Sequence, residues 1–254
     1  MNPASLSLVA LPGIPDVAAG DDIARHVLDA LARADEQLQP GDAIMVAQKI
    51  VSKAEGRLVR LADVTPSARA EELAAVAQKD PRQMELLLRE TREVLRARPG
   101  VVIVEDVRGL VLANAGIDAS NVSAVEDKLL LLPEDPDASA ARLRAALHEA
   151  TGVAPAVLVI DSIGRAWRQG TVGTAIGVAG MQALTDLRGR PDMHGRPLQT
   201  TEVGYADELA AAASLVMGQA DERFPVVLAR GLAFPAGDGK AADLLRPRSL
   251  DMFR

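Results

Sequence analysis

Two short apolar runs, Ala43-Ile-Met-Val-Ala47 and Ala156-Val-Leu-Val-Ile160, constrain this chain more than any other feature. Neither carries a charged or hydrogen-bonding side chain, so each reads as a buried strand. The chain must then supply aliphatic cover. Aromatic residues make up only 2% of its 254 positions and hydrophobic residues 48%, so the core has to be Val, Leu, Ile and Ala. This length suits one large domain or two small ones sharing a core.

The segments around these runs mix strand and helix patterns. Residues 5–11 read as a strand ending at Pro12-Gly13. Asp21 and Asp22 precede Ile23, Val27, Leu31 and Leu38, the spacing of a capped amphipathic helix that Pro40-Gly41-Asp42 stops. Ser67 caps a predicted helix over 68–79, and Asp80-Pro81 opens another, predicted to run to about Arg98 with Met84, Leu87, Leu88, Thr91 and Leu95 inward. Pro99-Gly100 stops it. Val101–Glu105 and Leu110–Ala113 suggest an antiparallel pair around Arg108-Gly109. A helix is expected near 138–150, an Ala-rich helix over Asp207–Met217, and a short strand at Pro225–Ala229. Thr171–Gly180 has no clean pattern, Pro191–Pro197 is a polar loop, and a loosely ordered tail is expected from Ala236. Helices and strands do not alternate strictly, which disfavours a simple doubly wound sheet.

Composition excludes several classes of function. The net charge of -7, with one Trp and one Tyr, argues against nucleic acid as a partner. The chain has no cysteine, which removes disulfides, thiolate metal sites and a cysteine nucleophile. No leader-like segment or membrane-length run is present, so the expectation is a cytoplasmic protein with no membrane partner.

Candidate chemistry gathers in two segments, Asn114–Asn121 and Val159–Gly170. Each joins a carboxylate, a hydroxyl and small residues, as hard cations and phosphates require. Asp118 could serve a divalent cation, with Asn121 on a nucleotide; the plainer alternative, an Asx-type turn or helix cap, leads on sequence alone. Asp161 follows the second apolar run and so is expected at a strand's carboxyl end, with Ser162 adding an oxygen. A helix N-cap competes evenly there. The oxygen set suits Mg²⁺ or Mn²⁺ better than Zn²⁺. Arg165 and Arg168 could hold phosphate or carboxylate, or could pair internally with Asp161. Trp167 reads more simply as a packing anchor. Lys53 could meet a nucleotide phosphate or be an ordinary surface lysine. No P-loop sequence exists, and Gly237-Asp-Gly-Lys240 lacks its spacing. His26, His148 and His194 are scattered and pair with no nucleophile.

Taken together, the chain resembles the γ-glutamyl ligases that add glutamate to the deazaflavin cofactor F420. The resemblance spans about residues 6–233. It is carried by Leu11-Pro-Gly-Ile14, Ile50-Val-Ser-Lys-Ala-Glu-Gly-Arg57, Asn114–Asn121, Asp161–Gly170 and Val216-Met-Gly-Gln219. It implies an α+β fold of two intertwined subdomains with mixed β-sheets and no P-loop, filling residues 1–235 ahead of a tail at 236–254. It also implies a homodimer. The implied co-substrate is GTP, with two divalent ions (Mg²⁺ or Mn²⁺) and K⁺ as a further candidate. By position, Asp118, Asp161, Ser162 and Gln219 match metal-contacting residues. Leu11, Pro12, Gly13, Ile14, Gln48, Lys49, Lys53 and Asn121 match nucleotide-contacting ones, as do Met217, Gly218 and Gln219. Asp118, Asp161 and Arg165 are the candidate catalytic set. Two positions depart from the family pattern. Ser162 replaces a common Thr, and Gln219-Ala-Asp-Glu-Arg-Phe224 replaces a Gly-rich stretch. No appended nitroreductase-like domain is expected.

The function so implied is GTP-dependent addition of L-glutamate to F420-0 through an acyl phosphate. The rivals are a metal-dependent phosphohydrolase using the same aspartates, and a GTP-binding regulator without catalysis.

Overall fold

The computed structural model describes residues 5–119, 127–231 and 233–252. In chain order these residues form β1 (Ser7–Ala10), α1 (Ile23–Arg33), β2 (Ala43–Ala47), α2 (Gln48–Ala54) and β3 (Leu58–Arg60). There follow α3 (Ala68–Ala77), α4 (Pro81–Arg89), β4 (Thr91–Arg98), β5 (Val101–Asp106), β6 (Val111–Ala113) and β7 (Lys128–Leu130). Then come α5 (Pro136–Thr151), β8 (Ala156–Arg165), β9 (Arg168–Ala179), β10 (Thr185–Asp186), β11 (Glu202–Val203), α6 (Tyr205–Met217) and β12 (Val226–Arg230). The fold is α+β, and it begins its helices as the sequence signals: Asp22, Ser67, Asp80 and Asp135 each accept a backbone N–H of the first turn.

The main sheet has five strands in the order β1-β12-β2-β8-β9. β2 and β8 run parallel and the other neighbours antiparallel. The two apolar runs are thus adjacent strands, paired from Ala43 with Ala156 to Ala47 with Ile160. Their lack of alternation follows from cover on both faces. Ile44, Val46, Val157 and Val159 pack toward α1 and α5 with Val27, Leu31, Leu143 and Leu147. Met45, Leu158 and Ile160 pack the other way, with Leu209, Ala210 and Ala213 of α6. Two glycines on β9 let the helices approach this closely. A Cβ on Gly173 would collide with the Ala210 carbonyl of α6, and one on Gly177 with the Pro136 carbonyl of α5.

A second layer holds the three-stranded sheet β4-β5-β6, covered by α3 and α4 through Ala70, Ala74, Met84, Leu87, Val102 and Val104. A cluster of charges with little exposure ties this layer to the β3–β7 pair. Arg57 Nη2 donates to Glu90 Oε1 at 2.6 Å, Arg108 Nη2 to Glu90 Oε2 at 2.8 Å, and Arg108 Nη1 to Asp106 Oδ2 at 2.9 Å.

Four expectations change. The helix opened by Pro81 ends at Arg89, and Thr91–Arg98 is strand β4, a hairpin with β5 about Pro99-Gly100. Met84 and Leu87 do face inward, but Leu95 lies on the strand. The alternation of Arg, Glu and apolar residues suits a half-exposed strand as well as a helix, and the waiting edge of β5 decides it. Thr171–Gly180, patternless in sequence, is nearly all β9; its glycines serve helix contact rather than a loop. Trp167 is no packing anchor: it is 78% exposed at the tip of the β8–β9 hairpin, with φ +58°. The residues after Ala236 are docked rather than loose. Gly239 N donates to Met181 O and Ala241 N to Asp137 Oδ1, both at 3.0 Å, and Arg248 binds Glu93 and Glu105 of the second layer. Short polar contacts of this kind leave no hydrophobic period to read.

Candidate active site

The site forms where β2 ends. Ala47 is its last residue, α2 starts at once with Gln48, and β8 continues five residues further, to Arg165, as an overhanging hairpin with β9. Asp161 is the first residue of that overhang. It is neither at the end of its own strand nor a helix cap, but it does lie at the carboxyl end of the parallel partner β2. Across from it, the backbone of Asp118 is clamped to Leu130 by reciprocal 2.9 Å hydrogen bonds. α6 ends nearby, and Gly218, at φ +75°, turns the chain into the 219–225 loop. These elements enclose an open cleft of about 1050 Å³, lined among others by Ile14, Lys49, Lys53, Asp118, Asp161, Ser162 and Gln219.

The two aspartates share one electrostatic environment. Among the described residues no backbone N–H donates to the Asp118 carboxylate. Its Oδ2 accepts Gln48 Nε2 at 2.7 Å and Lys49 Nζ at 2.5 Å. The carboxyl of Asp161 is half-buried and is pushed up to about 6, first by burial and then by the charge of Asp118. The Ser162 N–H, which donates to its Oδ1 at 2.8 Å, and the Lys49 charge oppose that rise. Ser162 Oγ donates to Gln219 Oε1 at 2.7 Å, joining the β8 overhang to the loop after α6. Two carboxylates close enough for the charge of Asp118 to raise the proton affinity of Asp161, beside a hydroxyl and an amide oxygen, form a donor set suited to a hard divalent cation. The Lys49 ammonium occupies part of that role on Asp118. Among the described residues no group of three or more His, Cys, Asp or Glu stands together, so any such ion also draws on the hydroxyl, the amide or its substrate.

The other anticipated residues divide. Ile14, Gln48, Lys49, Lys53, Met217, Gly218 and Gln219 line the cleft. Leu11 does not: it is fully buried in the core, and its N–H bonds Val226 O. Gly13 faces a neighbouring depression of about 470 Å³, and its carbonyl accepts Arg33 Nη1. Pro12 lines neither space. Arg165 is at the far end of the overhang, where its guanidinium donates to Gln169 O at 3.2 Å, outside the cleft lining. Among the described residues neither Arg165 nor Arg168 forms an ion pair with Asp161. Asn121 lies outside the described residues. Sequence reasoning passed over Ser52, which is buried and bonded to Gln48; its only signal was helical spacing from Gln48.

Residues 13–231 match the family F420-0:gamma-glutamyl ligase. This chain belongs to that family. Similar proteins include the coenzyme F420:L-glutamate ligase of Methanothermobacter thermautotrophicus, 48% identical over 254 residues, covering 98% of this chain and 99% of that one. The protein so named from Methanocaldococcus jannaschii is 43% identical over 217 residues, covering 85% and 86%. That from Archaeoglobus fulgidus is 41% identical over 242 residues, covering 95% and 94%. The γ-glutamyl ligase match includes every segment that builds the cleft and stops before the docked residues at 233–252. Among the described residues no helix is long and apolar enough to cross a membrane.

Proposed function

We propose that this chain is a GTP-dependent ligase that joins L-glutamate to the deazaflavin F420-0 in coenzyme F420 biosynthesis. One observation carries the reading within this family: Asp118 and Asp161, from separate segments, face a single cleft with Ser162, Gln219, Lys49 and Lys53. The four oxygen-bearing residues would hold Mg²⁺ or Mn²⁺. Such ions, when bound, offset negative charge on the phosphates. Lys49 and Lys53, on the helix that follows β2, add positive charge on the same side.

The reaction this site supports has two steps. The acceptor carboxylate attacks the γ-phosphorus of GTP, and GDP departs with the electrons of the broken P–O bond. The glutamate amine then attacks the acyl carbon; a C–N bond forms, inorganic phosphate leaves and a proton is released. No side chain is covalently modified, in keeping with a chain that lacks cysteine. We expect a cytoplasmic homodimer sharing more than about 2,000 Å²; light scattering reads the dimer's mass, and a stable, active monomer at micromolar concentration refutes it.

The test is incubation of F420-0, ¹⁸O-labelled in its carboxylate, with GTP, Mn²⁺, glutamate and the protein. The expected products are GDP, labelled phosphate and a deazaflavin heavier by glutamyl units. Unlabelled phosphate with normal glutamylation overturns the acyl phosphate. GDP without any mass gain makes the protein a phosphohydrolase, and GTP binding without phosphate release makes it a regulator.

A further inference from the structure

We propose that Ser52 is a positioning residue: through Gln48 it fixes the carboxylate of Asp118 so that one oxygen stays turned to the cleft. The inference rests on the reading of Asp118 as a cation ligand and assigns a residue behind it.

Gln48 and Ser52 stand one helical turn apart on α2, so their side chains meet. Ser52 is fully buried and Gln48 is 1% exposed. Ser52 Oγ donates to Gln48 Oε1 at 2.9 Å, and Gln48 Nε2 donates to Asp118 Oδ2 at 2.7 Å. Each group has its sense set by the next. An ionised carboxylate only accepts, so the amide must present its N–H₂ to Asp118. Its carbonyl oxygen then points into the helix packing, where Ser52 alone among the described residues donates to it. Lys49 Nζ takes the same Oδ2. Asp118 Oδ1 accepts no hydrogen bond from the described residues and is the oxygen assigned to the ligand.

Without the Ser52 hydroxyl, the Gln48 carbonyl is a buried acceptor lacking a donor. The amide turns or shifts to regain one, and its hold on Asp118 loosens. Ser52 cannot itself touch substrate, so its effect runs through the carboxylate.

The experiment titrates Mn²⁺ alone into the full chain, with free ion read by electron paramagnetic resonance, for wild type, Ser52→Ala, Gln48→Leu and the double variant. Thermal melts confirm folding. Outer-shell partners of metal ligands typically set affinity by roughly 10- to 100-fold, and Ser52→Ala is expected to raise the Mn²⁺ Kd by about 10-fold. The double variant should bind no more weakly than Gln48→Leu, because the hydroxyl acts only through the amide. Should Ser52→Ala not fold, Ser52→Cys, a weaker donor, is read in the same cycle. Unchanged affinity in the Ser52 variant, or losses that add in the double variant, overturns the assignment alone. A wild type that binds no Mn²⁺ overturns the metal reading and the assignment with it.

Discussion

Replacing Asp161 by Asn should stabilise the metal-free protein while ending its function. The carboxyl rises from an ordinary 3.8 to about 6, through burial and the neighbouring Asp118. Holding the charge at neutral pH therefore costs the fold a little over two pH units, about 3 kcal/mol at 1.4 kcal/mol each. Asn is isosteric and its Oδ1 still accepts the Ser162 N–H, so the substitution removes the charge and little else. The folded state binds this proton more tightly than the unfolded chain, so wild-type stability lost to the charge returns as pH falls from about 6 toward 3.8. Urea unfolding in EDTA at pH 7.5 should show Asp161→Asn more stable by roughly 1–3 kcal/mol, and the gap should close near pH 4. Added Mn²⁺ should raise the wild-type midpoint, by its affinity for the folded state alone, and leave the variant unmoved. A variant less stable than wild type at pH 7.5, or a gap independent of pH, refutes the reasoning.

Lys53→Ala should raise the KM for GTP far more than that for glutamate; a shift confined to glutamate moves Lys53 to the amino-acid side of the cleft. Glu90→Ala leaves Arg57 and Arg108 short of their shared carboxylate and should cost about 3–5 kcal/mol in denaturant unfolding, with little loss if the cluster is merely ornamental. Gly173→Ala forces a methyl against the Ala210 carbonyl. It should cost about 1–3 kcal/mol and also lower kcat, since α6 carries Met217 and Gly218 to the cleft; an unchanged melting temperature contradicts that packing.

What the sequence disclosed follows the strength of local signals. The two apolar runs, the Asp and Ser caps and the Arg108-Gly109 turn are short-range patterns, and they appear in the fold as read. The strand identity of Thr91–Arg98 depends on β5, and that of Thr171–Ala179 on the helices its glycines admit; neither partner is visible in the segment itself. The convergence of Asp118 with Asp161 was expected from their shared chemistry, and the Asp118–Leu130 bridge and the end of β2 are what bring it about. Arg165 and Leu11 show the converse. Arg165, singled out for its nearness to Asp161, stands at a hairpin end, and Leu11, singled out by the family resemblance, is buried in the core. Ser52 was silent because a buried serine on a helix announces nothing until its partner's orientation is known.

The position of β12 sets the order in which this protein can assemble. It lies between β1 and β2, pairing Ser7 with Arg230 and Ala43 with Ala229, and Arg230 also grips Glu36 and Asp42. Until residue 230 has left the ribosome, β1 has no neighbour in the sheet, and β2 keeps one edge open. Pairings of such long sequence separation slow folding and leave strand edges exposed meanwhile. Nascent chains halted before β12 should therefore be bound by chaperones or aggregate, and release of this one late strand should complete the sheet and, with it, the end of β2 on which the cleft is built.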